Sequence, residues 1–169
     1  GFTEHAVVHA GKIAELAARI MVRLGYSDRE AELARIAGYI HDIGNMVNRV
    51  DHAQTGALIA FNILTRMGMK PEEIALVVSA IGNHDEGTGT AVNSISAALI
   101  LADKTDVRRS RVRNNDFAKF DIHDRVNYAV EHSEVEVDGD KRSILLNLKI
   151  DTQIISLMEY FEIFLQRMI

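Results

Sequence analysis

The run Tyr39-Ile40-His41-Asp42-Ile43-Gly44 sets a histidine beside an aspartate where an apolar stretch should be closing a helix. An ionised carboxylate without a partner in an apolar setting costs several kcal/mol, and a cation held between the two side chains removes that cost. Four more residues share the same misplaced character. His9 lies one turn before Ile13 on an apolar stripe, His52 sits in the first turn of a later helix, and His84 stands in the polar run Gly82-Asn83-His84-Asp85-Glu86-Gly87-Thr88-Gly89. Asp103 follows Leu99 by four residues and so continues a buried face. These six are too far apart for a local motif, but a helical bundle brings helix ends and inward faces together and builds metal sites that way. The chain has no cysteine, so thiolate zinc sites, iron-sulfur clusters and disulfides are excluded, and histidine and carboxylate are the ligands left.

The elements that must position these residues are mostly helices. Apolar residues recur at helical spacing over the first two thirds, interrupted by a single proline, Pro71. The spacing predicts a first helix over residues 4–24, with Ile13, Leu16, Ala17, Ile20 and Leu24 on one stripe and Gly25 as its stop. Ser27 and Glu30 form the signature of a capping box for a second helix, whose inner face of Leu33, Ile36, Ala37 and Ile40 leads to His41. Gly38, one turn before Asp42, leaves room for a close neighbour. A third helix is predicted over residues 51–67 with Asp51 and Gln54 as its cap, a fourth opens at Pro71, and a fifth at Ser94. Beyond a basic run from Lys104 to Arg113, Asn114-Asn115-Asp116 reads as a turn and residues 121–132 as a helix. Alternating apolar residues around Asp138-Gly139 then predict a β-hairpin, and an apolar helix is expected after Asp151.

A chain of 169 residues suits one domain and buries roughly 70% of its unfolded surface, enough for a core without staples. The formal charge of −5 argues against non-specific binding to a polyanion, so nucleic acid is not the expected partner and any phosphate contact must be local. No apolar run reaches the length of a membrane span, and no signal pattern is present, which reads as a cytoplasmic protein. The apolar final helix is expected in the core, with a homodimer contact as the alternative.

With their flanking residues, the six polar positions resemble the HD superfamily of metal-dependent phosphohydrolases: a leading His9, the pair in His41-Asp42-Ile43-Gly44, His52-Ala53-Gln54-Thr55-Gly56-Ala57, His84, and Ala102-Asp103-Lys104. The resemblance covers roughly residues 5–113 and implies an all-α fold, an HD-type helical bundle with a metal-binding core there. Residues 114–169 would add a C-terminal helix, hairpin and helix within the single domain of 1–169. It also implies that His9, His41, Asp42 and Asp103 hold one ion and that His52 and His84 hold a second, with Asp42 bridging. Where only one ion binds, the same two histidines would contact phosphate. His5, one turn before His9, is the alternative leading ligand. The proline of the cyclic-dinucleotide branch is missing after His84, and Asn45 stands where a lysine often follows the motif.

Such a site implies hydrolysis of a small phosphorylated metabolite, a nucleotide or dinucleotide, by metal-activated water, with Asp42 and His84 carrying the chemistry. A divalent ion lowers the pKa of its water to about 7 and polarises a phosphoryl oxygen. The ligand types suit one or two ions of Fe, Mn, Ni, Co, Zn or Mg. Lys104, Arg108 and Arg111 are the nearest supply of charge for the substrate phosphate; the alternative for the basic run is a solvated helix face. The rival to an enzyme is a regulatory module that binds metal or nucleotide without turnover, and RNA binding through the arginines is a third reading, opposed by the acidity and by the lack of stacking aromatics.

Overall fold

A computed structural model describes residues 7–85, 89–112 and 116–168, with side chains described through 162 except that of Lys119. The chain is all-α with one small antiparallel hairpin, and it divides into two compact units. Of the described residues, those up to 103 together with the hairpin tip, 137–143, form the first, and those of 104–136 and from 144 onward form the second.

In the first unit, α1 (Val7–Arg23) packs along α2 (Asp28–Ile40), α2 packs on α4 (Pro71–Gly82), and α4 on α3 (His52–Arg66). The fifth helix, α5 (Ser94–Thr105), carries Ile95, Ala98, Leu99 and Ala102 on its buried face. Ile13, Ala17, Ile20, Leu33, Ala37, Val77, Ile81 and Leu99 are all at most 2% exposed, so burial follows the periodicity of the sequence. The capping box of α2 is formed on both sides: the Ser27 amide donates to Glu30 at 2.9 Å and the Glu30 amide donates to Ser27 Oγ at 3.3 Å. Gly25 ends the region of α1 in the left-handed conformation at φ 84°, which glycine adopts without strain. Pro71 occupies the first turn of α4 as expected.

Three local expectations are corrected. Asp51 precedes α3 with φ 56° and makes no capping bond through its side chain; its carbonyl instead accepts from the Thr55 amide at 2.9 Å. The left-handed backbone turns the side chain away from the amides a cap must reach. The helix expected over 121–132 is α6 (Ile122–Ala129), capped by Asp121, and β1 (Val130–Asp138) takes over at the β-branched Val130, so His132 lies on a strand. The last helix, α7 (Leu157–Met168), begins later than expected, behind a Ser156–Glu159 capping pair.

The second unit buries Val107, Val126, Ala129, Val130, Ile155 and Tyr160 around α6, with β2 (Ser143–Ile150) completing the hairpin. Of the described side chains of α7 only Tyr160 is buried, whereas Leu157, Met158 and Phe161 are 54%, 75% and 37% exposed, against the expectation of a core helix. Among the described residues no helix is long and apolar enough to cross a membrane.

Candidate metal centre

Tight backbone approach at the end of α2 creates the centre. A Cβ on Gly38 would lie 2.8 Å from the Ala14 Cα, so only glycine lets α1 and α2 close to this distance beside His41. A Cβ on Gly44 would fall on the carbonyl oxygen of His52 and 2.6 Å from the Gly56 amide nitrogen. This pairing of glycines seats the 3-10 turn Ile43–Met46 against the start of α3. His41 from the end of α2, Asp42 from the following turn and His52 from the start of α3 are thereby held together.

His9, His41, His84 and His52 form a continuous row of rings, with centroids 5.3, 5.0 and 5.0 Å apart, and all four are at most 3% exposed. Three of them are oriented in the same way. Nδ1 of His41 lies 2.8 Å from the Gly38 carbonyl, Nδ1 of His52 lies 3.1 Å from that of Arg49, and Nδ1 of His84 lies 2.6 Å from that of Ile81. Each carbonyl belongs to the residue three positions earlier. A carbonyl can only accept, so each Nδ1 carries the proton and each Nε2 is turned toward the centre.

At the centre the Nε2 atoms meet carboxylates. His9 Nε2 lies 3.2 Å from Asp103 Oδ1, and His41 Nε2 lies 3.5 Å from Asp42 Oδ2 and 3.7 Å from Asp103 Oδ1. Asp42 Oδ1 lies 3.4 Å from His52 Nε2 and 3.9 Å from His84 Nε2. Two groups of three result, His9–His41–Asp42 and Asp42–His52–His84, each with its ligand atoms within 4.8 Å of one another and with Asp42 in both. Asp42 is also held by Asn45, whose amide donates to Oδ1 at 2.8 Å and to the Asp42 carbonyl at 3.1 Å.

Electrostatics separate the members. Burial pushes His41 below its ordinary value, against the pull of Asp103 and Asp42. Burial and then the positive charge of Arg49 push His52 down as well. For His84 burial also opposes the charged form, but Asp42 beside it and the charge of Asp103 outweigh burial and raise it. Burial would raise Asp103, yet His9 at its oxygen and the charges of His41, His9 and His84 hold its carboxyl well below the usual range.

These residues fit a divalent ion. The buried His41 Nε2 has no hydrogen-bond partner although two carboxylates face it, and the Nε2 atoms of His52 and His84 approach to 3.2 Å. Nitrogens and carboxylates converging at such distances call for positive charge among them, a proton or a cation, and nitrogen-oxygen donor sets of this kind suit first-row metals.

All six residues expected from the sequence converge here. His5, Glu86 and Arg113 lie outside the described residues. Asp85 is half-buried beside His84. Lys104, Arg108 and Arg111 belong to the second unit. The basic run is not a solvated helix face: Arg108 Nε donates to Asp106 at 2.8 Å, Arg111 Nη1 donates to the Asp106 carbonyl at 2.7 Å, and Arg111 is 9% exposed. Nor does it lack aromatics, because Arg109 lies 4.6 Å over the ring of Tyr128, which packs against Phe117 and Phe120. Sequence reasoning missed Arg49, whose Nη1 sits 3.1 Å from His52 Nε2. Its position three residues before a ligand-type histidine was the signal available.

The sequence profile of the HD domain matches residues 7–116. An uncharacterized protein of Methanocaldococcus jannaschii, MJ1020, is 27% identical over 171 residues, covering 88% of this chain and 65% of that protein. Ribonuclease Y of Enterococcus faecalis is 27% identical over 119 residues, 70% of this chain and 21% of its own length. Ribonuclease Y 2 of Levilactobacillus brevis is 31% identical over 100 residues, 57% of this chain and 17% of its own length. The chain therefore spans just under two thirds of the first relative and about a fifth of the ribonuclease Y proteins. No solved structure matches the chain.

Proposed function

The chain belongs to the HD domain family, one of metal-dependent hydrolases, and from that premise we propose that it hydrolyses a phosphate ester of a small metabolite, a nucleotide or dinucleotide. The observation that carries this reading is the common orientation of three imidazoles. His41, His52 and His84 each spend Nδ1–H on a carbonyl three residues back and aim Nε2 at carboxylates, an arrangement that serves metal ligation and leaves charge uncompensated without it. His9, His41, Asp42 and Asp103 would hold one ion; His52 and His84 would hold a second, with Asp42 shared.

Bound divalent metal supplies water that is acidic near neutral pH and a Lewis acid for the phosphoryl oxygen. The chain's own residues do the rest. Asp42, fixed by Asn45, presents one carboxylate oxygen to each ligand group. Where only one ion binds, His84, the histidine held above its ordinary value, is the one placed to carry a proton at Nε2. Met46, Val47 and Val50 are 81%, 69% and 69% exposed on the stretch before α3, apolar surface of the kind a nucleobase covers. Lys104, Arg108 and Arg111 remain the residues expected from the sequence to meet the substrate phosphate, and Arg108 and Arg111 must give up Asp106 to do so.

A second reading rests on the ribonuclease Y relatives, which point to the phosphodiester of RNA as the bond to test alongside small nucleotides. Anaerobic purification with elemental analysis, followed by a panel of nucleotides, dinucleotides and RNA oligonucleotides with added Mn, Fe, Co and Ni, tests both. The expected result is about one or two first-row ions per chain and metal-dependent release of phosphate or nucleotide. His41→Ala and Asp42→Ala should lose metal and turnover together; unchanged metal content in both variants would sink the reading. Saturable nucleotide binding without product in the presence of metal would favour the regulatory module.

A further inference from the structure

Arg49 holds one imidazole at both ends. Its carbonyl accepts from His52 Nδ1 at 3.1 Å, and its own Nη1 lies 3.1 Å from His52 Nε2. The same Nη1 is 3.9 Å from Asp42 Oδ1 and 3.5 Å from Asn45 Oδ1. A guanidinium is a donor only and carries its charge throughout the working pH range, so it engages Nε2 through the ring's lone pair. A metal ion on the Asp42–His52–His84 group needs that same lone pair, and one lone pair cannot serve both. Guanidinium and ion are therefore mutually exclusive at His52.

The displaced guanidinium has somewhere to go. The Arg49 side chain is 54% exposed and, among the described residues, is held by contacts at its tip, so it can swing outward while its backbone carbonyl continues to orient His52. At the edge of the centre its planar fork matches two oxygens of a phosphate, a stronger and better-shaped partner than a neutral ring nitrogen. A phosphate that draws Arg49 off His52 clears the ligand for the ion, and an ion that takes His52 releases Arg49 for the phosphate. By linkage each must tighten the other by the same factor.

We infer that Arg49 is the placeholder of the second metal group: its guanidinium occupies His52 Nε2 until a divalent ion and the substrate phosphate arrive together, and it then binds that phosphate. The inference rests on the proposed metal reading of Asp42, His52 and His84 and adds to it a coupling between ion and substrate.

Calorimetric titration of the metal-free full chain with Mn2+, with and without inorganic phosphate, tests this on wild type, Arg49→Ala and Arg49→Gln. The backbone carbonyl survives in both variants, and Arg49→Gln keeps the side chain's bulk if Arg49→Ala folds poorly. The expected result is a second Mn2+ equivalent bound about tenfold tighter in both variants, the size of one charge-assisted hydrogen bond. Phosphate should tighten that equivalent several-fold in wild type and leave it unchanged in the variants. A second equivalent of equal affinity in wild type and variants overturns the role of Arg49 while leaving the metal reading standing; a single equivalent in all three overturns that role together with the second ligand group and leaves the first. Absence of any Mn2+ binding to wild type overturns both.

Discussion

Asn45 touches the bridging carboxylate directly, donating to Asp42 Oδ1 at 2.8 Å, and no charge of its own reaches the centre. A lysine at this position would bring positive charge to the oxygen shared with His52 and His84; the amide instead fixes the carboxylate's rotation while leaving its full charge for metal. Asn45→Ala should therefore weaken metal binding by roughly 10- to 100-fold, the usual cost of losing a group that orients a ligand, with little change in the melting of the metal-free chain. Asn45→Lys should weaken it further by adding a competing cation. Titration with Mn2+ measures both, and metal affinity within twofold of wild type in Asn45→Ala would remove the positioning role. At this scale the six polar residues could be read from the sequence because each is misplaced: a charged or imidazole side chain at a helix end or on an apolar stripe announces a partner. Arg49 was passed over, since an arginine in a polar loop is ordinary surface chemistry and only the fold lays its guanidinium on His52.

Among the elements, the 3-10 turn Ile43–Met46 does the positioning, since it carries the chain from α2 to α3 across a gap that admits no side chain. Gly44→Ala would drive a methyl group into the His52 carbonyl and the Gly56 amide, both backbone atoms that cannot rotate aside. The cost is of the overpacking kind, about 1–3 kcal/mol or more, and relief must come from moving the start of α3 and His52 with it. We expect a lowered melting temperature and loss of the second Mn2+ equivalent, with the first weakened less because His9 and Asp103 lie outside this contact. Retention of both equivalents would show that the turn can shift without the site. Element types were readable wherever period and local chemistry agreed, as at the Ser27–Glu30 box, Gly25 and Pro71. They were misread where backbone conformation overrode composition. Asp51 has the residue type of a cap but a left-handed backbone, and Val130 begins a strand inside what reads as a helical run. In α7 an apolar sequence left Leu157 and Met158 exposed, because hydrophobicity alone does not say what covers a face.

For the whole chain the strongest consequence is how stability depends on pH and metal. The residues that would hold the ions are spread over residues 9–103, all in the first unit, so the centre is part of what folding must assemble there. Consider the metal-free protein. His41 and His52 are depressed in the folded state, so below the ordinary histidine value of 6.5 the unfolded chain takes up protons that the native chain refuses. Their contribution to stability is present above that pH and is lost as pH falls through the window beneath it. His84 is raised, so its contribution is present below 6.5 and is lost as pH rises through its folded value. The two effects oppose one another on either side of 6.5, and the metal-free melting temperature should pass through a maximum near that pH. Metal reverses the alkaline limb, because ligation needs all these imidazoles neutral and gains as protons leave. Ion at about 100 times its dissociation constant adds about 2.7 kcal/mol, a rise of roughly 5–10 °C in melting temperature, and that rise should grow from acid to alkaline pH. Thermal melts in EDTA and in Mn2+ from about pH 5 to 8.5 separate these limbs, within the range where histidine titrates. A metal-free melting temperature that climbs steadily from acid to alkaline pH would remove the charged His84 from the account and leave Arg49 as the main positive charge among the facing nitrogens.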